Sequence, residues 1–300
     1  MRSADSGVPH QTSGETATRA LAAVLTAICR LGGDRWGAAV AERLTRAVPR
    51  SLERRPHRSV KREGLMFELD LRDNLQRTLF YTGSYIPRLL ALLLSELRAG
   101  DICVDVGANI GVYALPMAKR LERLGGGSVY AFEPAPDTAA VLERETKGND
   151  VHNLVVLPLA LGARSGVLPL RTSSQFSPHD VGVRSLFGDG IEVSRVEVVT
   201  FDSWLASTDL RRLDVIKIDV EGAEYDVLQG MRDALARFRP RCVVVEVAAD
   251  NLANAGRTLD EFIALVSEVG YRPAGRSIEE VAAGKWRGLG SNVLLRPRSP

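Results

Sequence analysis

The sequence predicts a doubly wound α/β fold, a mostly parallel sheet covered by helices on both faces, behind an N-terminal helical extension. Three observations predict it. From Asp101 onward, short apolar runs rich in β-branched residues alternate with amphipathic helical runs, the rhythm of a parallel sheet with crossover helices. The first of these runs, "DICVDV", leads straight into a glycine-spaced turn, Gly107-Ala-Asn-Ile-Gly111, and then into a helical stretch. The 300 residues, 45% hydrophobic and 25% charged, suit one globular domain of roughly 200 residues with an extension.

Taken in order, Met1–Thr16 is small and polar and is expected to be disordered. Ala17–Val48 reads as helix, broken near Gly32-Gly33 and stopped by Pro49. The basic run from Arg50 to Arg62 reads as a solvated linker. The extension is therefore placed at residues 1–63 and the main domain at 64–300. "GLMFELDL", from Gly64 to Leu71, alternates like a strand or hairpin arm. Ser84–Gly100 reads as a helix that ends at the glycine.

The α/β rhythm follows. Asp101–Ala108 is a strand, and Gly111–Gly125 a helix that tolerates Pro116 because it lies near the first turn. Ser128–Pro134 is a strand, Ala135–Asp150 a helix and Asn153–Gly162 a strand. A hairpin-like "GVLPLRTS" and a polar loop from Ser173 to Asp180 lead to "RVEVVTFDSWL", a strand and short helix. Leu213–Gly222 is a strand, Ala223–Phe238 a helix, Arg241–Ala249 a strand and Thr258–Gly270 a helix; "SNVLLRP" closes the sheet.

A net charge of +2 gives no reason to expect nucleic acid as a partner. Cys29, Cys103 and Cys242 are odd in number, far apart and set in apolar runs, which suits reduced, buried thiols and a cytoplasmic home. The apolar "LAAVLTAIC" is too short to span a bilayer and lacks the basic leader of a signal peptide.

In doubly wound sheets, ligands bind beyond the carboxyl ends of the strands, so the residues ending each strand matter most. Asp105 sits near the end of its strand, ahead of Gly107, Asn109 and Gly111. Gly107 allows a tight turn and the close approach of a ligand. Gly111 opens a helix whose free N–H groups favour negative charge. A cofactor with an amino-acid tail offers a carboxylate for the helix end and an ammonium for Asp105. Glu133 ends the next strand, about 20 residues past the turn, where an acid pairs with ribose hydroxyls. A nicotinamide-dependent oxidoreductase shares these features. It needs GxGxxG beside its pyrophosphate, however, and that triplet is missing here.

The run "LDVIKIDVEGAE" places Lys217, Asp219 and Glu221 on one face of a central strand. Three charges there persist if they pair with one another or open on a cleft. Lys217 fits an ion pair with Asp219 or a direct role, while Asp219 lies at the strand end beside the crevice. Glu224 suits the dipole of the following helix. Glu246, ending "CVVVEV" on the neighbouring strand, would face the same crevice.

Together, "DVGANIGVY", "AFEP", "LALG", "TFDSWL", "IKIDVEGAEYDVLQG" and "VVVEV" resemble the FkbM family of methyltransferases, over roughly Gly100 to Pro297. The resemblance implies a seven-stranded, Rossmann-like sheet with an antiparallel last strand. It implies O-methylation of small-molecule hydroxyls, on sugars, glycolipids or polyketides, with S-adenosylmethionine as cofactor. Carried over by position, Asp105, Gly107, Asn109 and Gly111 would hold the methionine part, Glu133 the ribose, and Ala160 the adenine through its backbone. One position departs: Ile86, in "GSYIP", stands where the family commonly has an acid.

Such a transfer requires the acceptor oxygen in line with the methyl and a group to take its proton. Asp219 is the first candidate for that base. A divalent ion such as Mg held by Asp219 and Glu246 is another route, and His179, in the polar loop, is a third. A non-catalytic cofactor-binding protein of the same fold is the alternative of a different class, against which the acids at Asp105, Glu133 and Asp219 speak. The apolar residues of Ala17–Val48 are available to cover the cleft or to form a homodimer contact.

Overall fold

The computed structural model describes residues 56–172, 179–284 and 289–299, with scattered positions between residues 16 and 48. Of Met1–Thr16 only Thr16 is described, and it is helical; of the expected helix Ala17–Val48, residues 20–25 are helical and most of the rest lies outside the described residues, as does Cys29. The chain divides into two compact units, Met1–Tyr85 and Ile86–Pro300.

In the first unit, β1 (His57–Arg62) pairs antiparallel with β2 (Leu65–Asp70). Glu63 and Gly64 join them with φ of 50° and 84°, the positive-φ pair that matches the twist of a two-residue hairpin. Leu65, Phe67 and Leu69 are buried on one face of β2 while Met66 and Glu68 are exposed, as the alternation predicts. The second half of the basic run, expected as linker, is β1: its backbone pairs with β2 whatever its charge. The boundary expected between 63 and 64 falls inside this hairpin turn, and the units divide at Tyr85 and Ile86 instead. Helix α1 (Asn74–Thr82), not read from the sequence, is capped by Asp73, whose side chain accepts from Gln76 N.

The second unit begins with α2 (Pro87–Glu96), which stops short of Gly100 because Leu97 is extended. There follow β3 (Asp101–Val106), α3 (Ala114–Leu124), β4 (Gly127–Phe132), α4 (Pro136–Gly148), β5 (Leu154–Leu157), β6 (Ala160–Leu161) and β7 (Gly166–Thr172). A 3-10 turn, Val181–Val183, leads to β8 (Ile191–Val199) and α5 (Phe201–Ala206). Then come β9 (Val215–Ile218), α6 (Glu224–Gly230), α7 (Arg232–Phe238), β10 (Cys242–Glu246), α8 (Ala249–Asn254), α9 (Leu259–Glu268), β11 (Tyr271–Pro273), α10 (Ile278–Ala282) and β12 (Asn292–Pro297).

Seven strands form the main sheet in the order β11-β12-β10-β9-β3-β4-β5. The pairings from β10 to β5 are all parallel, and β12 runs antiparallel to both its neighbours. This is the expected Rossmann-like sheet with an antiparallel last strand. Its membership differs in two places. The run Asn153–Gly162 breaks at Leu157-Pro158, since Pro158 cannot donate to a ladder. Its second part, β6, joins β7 and β8 in a separate three-stranded sheet. The seventh strand is β11, three residues long and not read from the sequence. The helix expected over Ala223–Phe238 is two helices that meet at Met231, beside Gly230. A Cβ on Gly230 would lie 2.0 Å from Gly162 O, so the glycine lets α6 approach the end of β6.

The apolar faces of β3, β9 and β10 meet α6, α7 and α9 in one buried cluster that includes Val104, Ile216, Val243, Leu228, Leu235 and Phe262. Cys103 and Cys242 are buried free thiols, and burial pushes Cys242 up to about 12. No helix among the described residues is long and apolar enough to cross a membrane.

Candidate active site

The chain order reverses around β3, with β4 on one side and β9 on the other, so the crevice for a ligand opens at the carboxyl ends of these strands. Gly107 follows β3 with φ of +76°. A Cβ there would lie 1.9 Å from the carbonyl oxygen of Asp219. The room the glycine leaves is therefore filled by the backbone at the end of β9, where the sequence suggested a ligand. Gly111, with φ of +88°, does the same for Leu142 of α4, whose Cδ1 would lie 2.4 Å from its Cβ, and it precedes α3 by three residues. Both glycines knit the crevice floor together.

Between them Asn109 holds a left-handed φ of 50°, rare outside glycine and compatible with asparagine. Its side-chain oxygen accepts from Ile110 N at 2.7 Å, and its own N–H donates to Glu133 Oε2 at 2.9 Å. Ala135 N donates to Glu133 Oε1, also at 2.9 Å. Glu133 is nearly buried just past β4. Burial pushes its carboxyl up to about 7 against the pull of these two N–H groups. Each oxygen accepts one backbone bond and keeps a lone pair, the donor-seeking pattern that suits two vicinal ribose hydroxyls.

Across β3 lies an acid-rich wall. Asp105 is opposite Lys217 in the β3–β9 register, and Lys217 Nζ lies 3.4 Å from Asp105 Oδ1. The cation at Asp105 is thus the chain's own, where the sequence suggested a ligand's ammonium, because adjacent strands in register set the two side chains side by side. Lys217 also lies 3.4 Å from Asp219 Oδ2. Carboxylate oxygens of Asp219, Glu221 and Glu246 lie within 4.8 Å of one another. Glu221 has φ of 54°, an uncommon backbone for that residue. Its side chain accepts from Asn251 Nδ2 at 3.1 Å. Burial, then the negative charges of Asp219 and Glu224, push it up to about 8. Glu246 accepts from Ser291 Oγ at 2.6 Å, and its other oxygen is buried with no partner among the described residues. Burial and then Asp219, Glu221 and Glu224 raise its carboxyl well above the usual range. Glu224 accepts from the backbone of Val220 and Gly222 and so caps this turn rather than serving a ligand.

The structure thus brings together Asp105, Asn109, Glu133, Asp219 and Glu246. Ala160 is buried in a small cluster with Leu170, Val196 and Val198 and pairs with Val198. His179 is exposed at the edge of the β7–β8 loop and is not among the side chains that converge on Asp219. Sequence reasoning left Glu221 out of the site although its alternation had flagged it. It missed Arg184, which forks onto Asp137 at 2.6 and 2.8 Å, and Ser185, whose Oγ donates to Glu221 O at 2.6 Å. No local spacing signals a contact between a loop and two distant strand ends.

The family model described as the methyltransferase FkbM domain matches residues 105–273, the span that holds Asp105, Asn109, Glu133, Asp219, Glu221 and Glu246. The chain belongs to the FkbM methyltransferase family. Among curated relatives, the hexuronic acid methyltransferase AglP of Haloferax volcanii is 32% identical over 162 residues, 54% of this chain and 62% of that protein. The 31-O-demethyl-FK506 methyltransferase FkbM of Streptomyces tacrolimicus is 31% identical over 230 residues, 64% of this chain and 84% of that one. The chain spans about three fifths of the length of the first curated relatives it matches, 62%, 63% and 58%. Among solved structures, M. jannaschii TYW2 in complex with AdoMet aligns over 81% of this chain and 87% of that one, at 14% identity and a TM-score of 0.41.

Proposed function

We propose that this chain transfers the methyl group of S-adenosylmethionine to a hydroxyl of a small-molecule acceptor. The observation that carries the reading is the pairing, on either side of β3, of a nearly buried Glu133 with spare acceptor capacity and an acid-rich wall ending in Asp219. The sulfonium supplies an already activated methyl. The chain's part is to bind, to orient and to take a proton. Glu133 accepts from the ribose hydroxyls, and the Asn109 backbone that holds it lies along the cofactor's path. Asp219, partly exposed beside the crevice, takes the acceptor's hydroxyl proton as the oxygen attacks. Two relatives' names point to the acceptor class, a hexuronic acid in one and 31-O-demethyl-FK506 in the other. Small-molecule hydroxyls, not nucleic acid, cytoplasmic work and a homodimer complete the proposal.

Asp219, Glu221 and Glu246 are also a hard, all-oxygen donor set of the kind that Mg binds, and the Glu246 oxygen that has no partner among the described residues fits a ligand role. A divalent ion held there would orient the acceptor oxygen and favour its deprotonation.

Calorimetry with S-adenosylmethionine, its demethylated product S-adenosylhomocysteine and NAD tests the cofactor. The first two are expected to bind and NAD is not. Product release with p-nitrophenyl glucuronide as acceptor tests the transfer, with and without EDTA and added magnesium. Tight NAD binding, or no affinity for either sulfur nucleoside, ends the reading. Activity lost to the chelator and restored by magnesium assigns the metal.

A further inference from the structure

Lys217 is 2% exposed, in the middle of the sheet, with its Nζ 3.4 Å from one oxygen of Asp105 and 3.4 Å from one of Asp219. The Tyr113 ring lies under the ammonium, 5.0 Å from ring centroid to Nζ. Asp105 is fully buried, whereas Asp219 is 23% exposed. One buried acid and one buried base would already neutralise each other, and such a pair by itself is weak evidence of anything but structure. The second acid is surplus to that balance. It leaves the three-charge group with a net charge of −1, and the surplus charge sits on the member that reaches the crevice.

The surroundings of Asp219 say what the lysine does there. Glu221 and Glu246 set carboxylate oxygens within 4.8 Å of those of Asp219, and Asp105 lies behind the lysine. Where these acids are ionised they repel the Asp219 carboxylate. Lys217 is the cation that draws it back, and it is itself fixed on three sides: by Asp105 in the adjacent register position, by Asp219, and by the face of Tyr113, a favourable seat for an ammonium. A lysine held by four flexible carbons would otherwise be a loose tether.

We propose that Asp105 and Lys217 form a buried positioning pair whose task is to hold the Asp219 carboxylate at the crevice, in line for the acceptor's hydroxyl. The proposal rests on the methyl-transfer reading and deepens it. Asp219 touches the reacting group, and Lys217 and Asp105 act through it.

Two measurements test the pair, one of them independent of turnover. In the first, carboxyl groups are labelled with a water-soluble carbodiimide and glycinamide, and Asp219 is followed by mass spectrometry in the parent and in Lys217→Met. Labelling of Asp219 is expected to rise several-fold once the lysine no longer holds it. In the second, kcat and KM for p-nitrophenyl glucuronide are compared in Lys217→Met, Asp219→Asn and the double variant, with S-adenosylhomocysteine affinity measured alongside. Asp219→Asn is expected to lower kcat roughly a hundredfold. Lys217→Met is expected to lower it roughly tenfold or more with little change in cofactor affinity, and the double variant is expected to be no slower than Asp219→Asn alone. If Lys217→Met does not fold, because Asp105 is left buried and alone, Asp105→Asn with Lys217→Met removes both charges and takes its place in both measurements. Unchanged labelling of Asp219 in a folded variant overturns the proposal, whether or not the glucuronide is a substrate. So does a double variant that multiplies the two losses. A parent protein that binds no sulfur nucleoside fails the methyl-transfer reading instead, and the labelling result still judges the pair.

Discussion

The two ends of one sheet carry charge in opposite ways. At the amino ends of β3, β9 and β10, three acids meet three arginines: Arg212 and Arg241 both reach Asp101 and Asp214, and Arg296 forks onto Glu96. Asp101 is fully buried within this set, and Asp214 also accepts from Ile102 N at 2.9 Å. Charge balances charge, and the ion pairs tie the starts of several strands together. At the carboxyl ends, Asp105, Glu133, Asp219, Glu221, Glu224 and Glu246 gather with Lys217 bonded to two of them. The other four are all pushed up by burial, Glu221, Glu224 and Glu246 also by neighbouring acids, instead of being held down by a paired cation. A balanced cluster is already satisfied and has nothing to offer a ligand. An unbalanced one is held in a less stable state by the fold around it, which is the usual condition of a site. The comparison predicts that changes of charge at the amino ends move stability alone, while changes of charge at the carboxyl ends move binding or turnover.

The largest effect is expected where the carboxyl end is built rather than charged. Gly107→Ala would set a Cβ 1.9 Å from Asp219 O and 2.9 Å from Asp219 C, on a backbone with φ of +76°. Two strand ends must then separate, and a folded protein is not expected by circular dichroism. Gly125→Ala, with φ of +102° and open space around it, carries only the backbone strain and should cost about 1 kcal/mol. Equal melting temperatures for the two variants would remove the close contact from the argument.

Next comes Asp101→Asn. It leaves Arg241 and Arg212 short of one carboxylate charge, for which about 3 kcal/mol is expected. For a unit of this size that is a fall of roughly 10 °C in Tm. The Kd for S-adenosylhomocysteine should not move. A tenfold change in Kd would couple the two ends and break the comparison.

Much of this division was legible from residue order alone. The α/β rhythm and the strand ends at Asp105, Glu133, Asp219 and Glu246 follow from periodicity and from the rule that parallel sheets bind at their carboxyl ends, while the antiparallel direction of the closing strand came from the family resemblance. Four things were not legible. The β5–β6 break depends on one proline in an apolar run. The purpose of Gly107 and Gly111 is set by which backbone or side chain comes near them, which spacing does not reveal. Asp105 looked available to a ligand because nothing local says that Lys217, more than a hundred residues away, lies beside it in register. The arginine network at the other end joins residues as distant as Glu96 and Arg296 for the same reason.

Glu133 gives a smaller effect with a definite sign. Burial raises its carboxyl from 4.5 to about 7. In the ligand-free fold the stability it contributes is therefore present below 4.5 and lost as pH rises through about 7. Ribose hydroxyls prefer the ionised form, which accepts their protons in hydrogen bonds. Affinity for S-adenosylhomocysteine should thus climb as pH rises to about 7, by up to about tenfold per unit, and level off above it. Glu133→Gln should bind about tenfold or more weakly with no such rise. A pH-independent Kd in the parent would move the ribose elsewhere.

The smallest effect tests whether the unbalanced end is covered. Arg184 donates to both oxygens of Asp137, just past β4, and Ser185 donates to Glu221 O, just past β9. In the sheet, β3 lies between those two strands, so residues 184 and 185 span its mouth. Arg184 is only 13% exposed, but Asp137 is 63% exposed, and a pair open to water on one side is worth about 1 kcal/mol at most. Arg184→Gln should therefore weaken S-adenosylhomocysteine by about fivefold or less, through faster dissociation, with Tm nearly unchanged. Salt separates a tether from mere proximity. Raising sodium chloride should weaken binding to the parent toward the level of the variant and leave the variant itself little affected. If the dissociation rate is the same in both, the Arg184–Asp137 pair braces the three-stranded sheet against α4 and covers nothing. The cofactor would then be retained by Glu133 and the acid-rich wall without help from above.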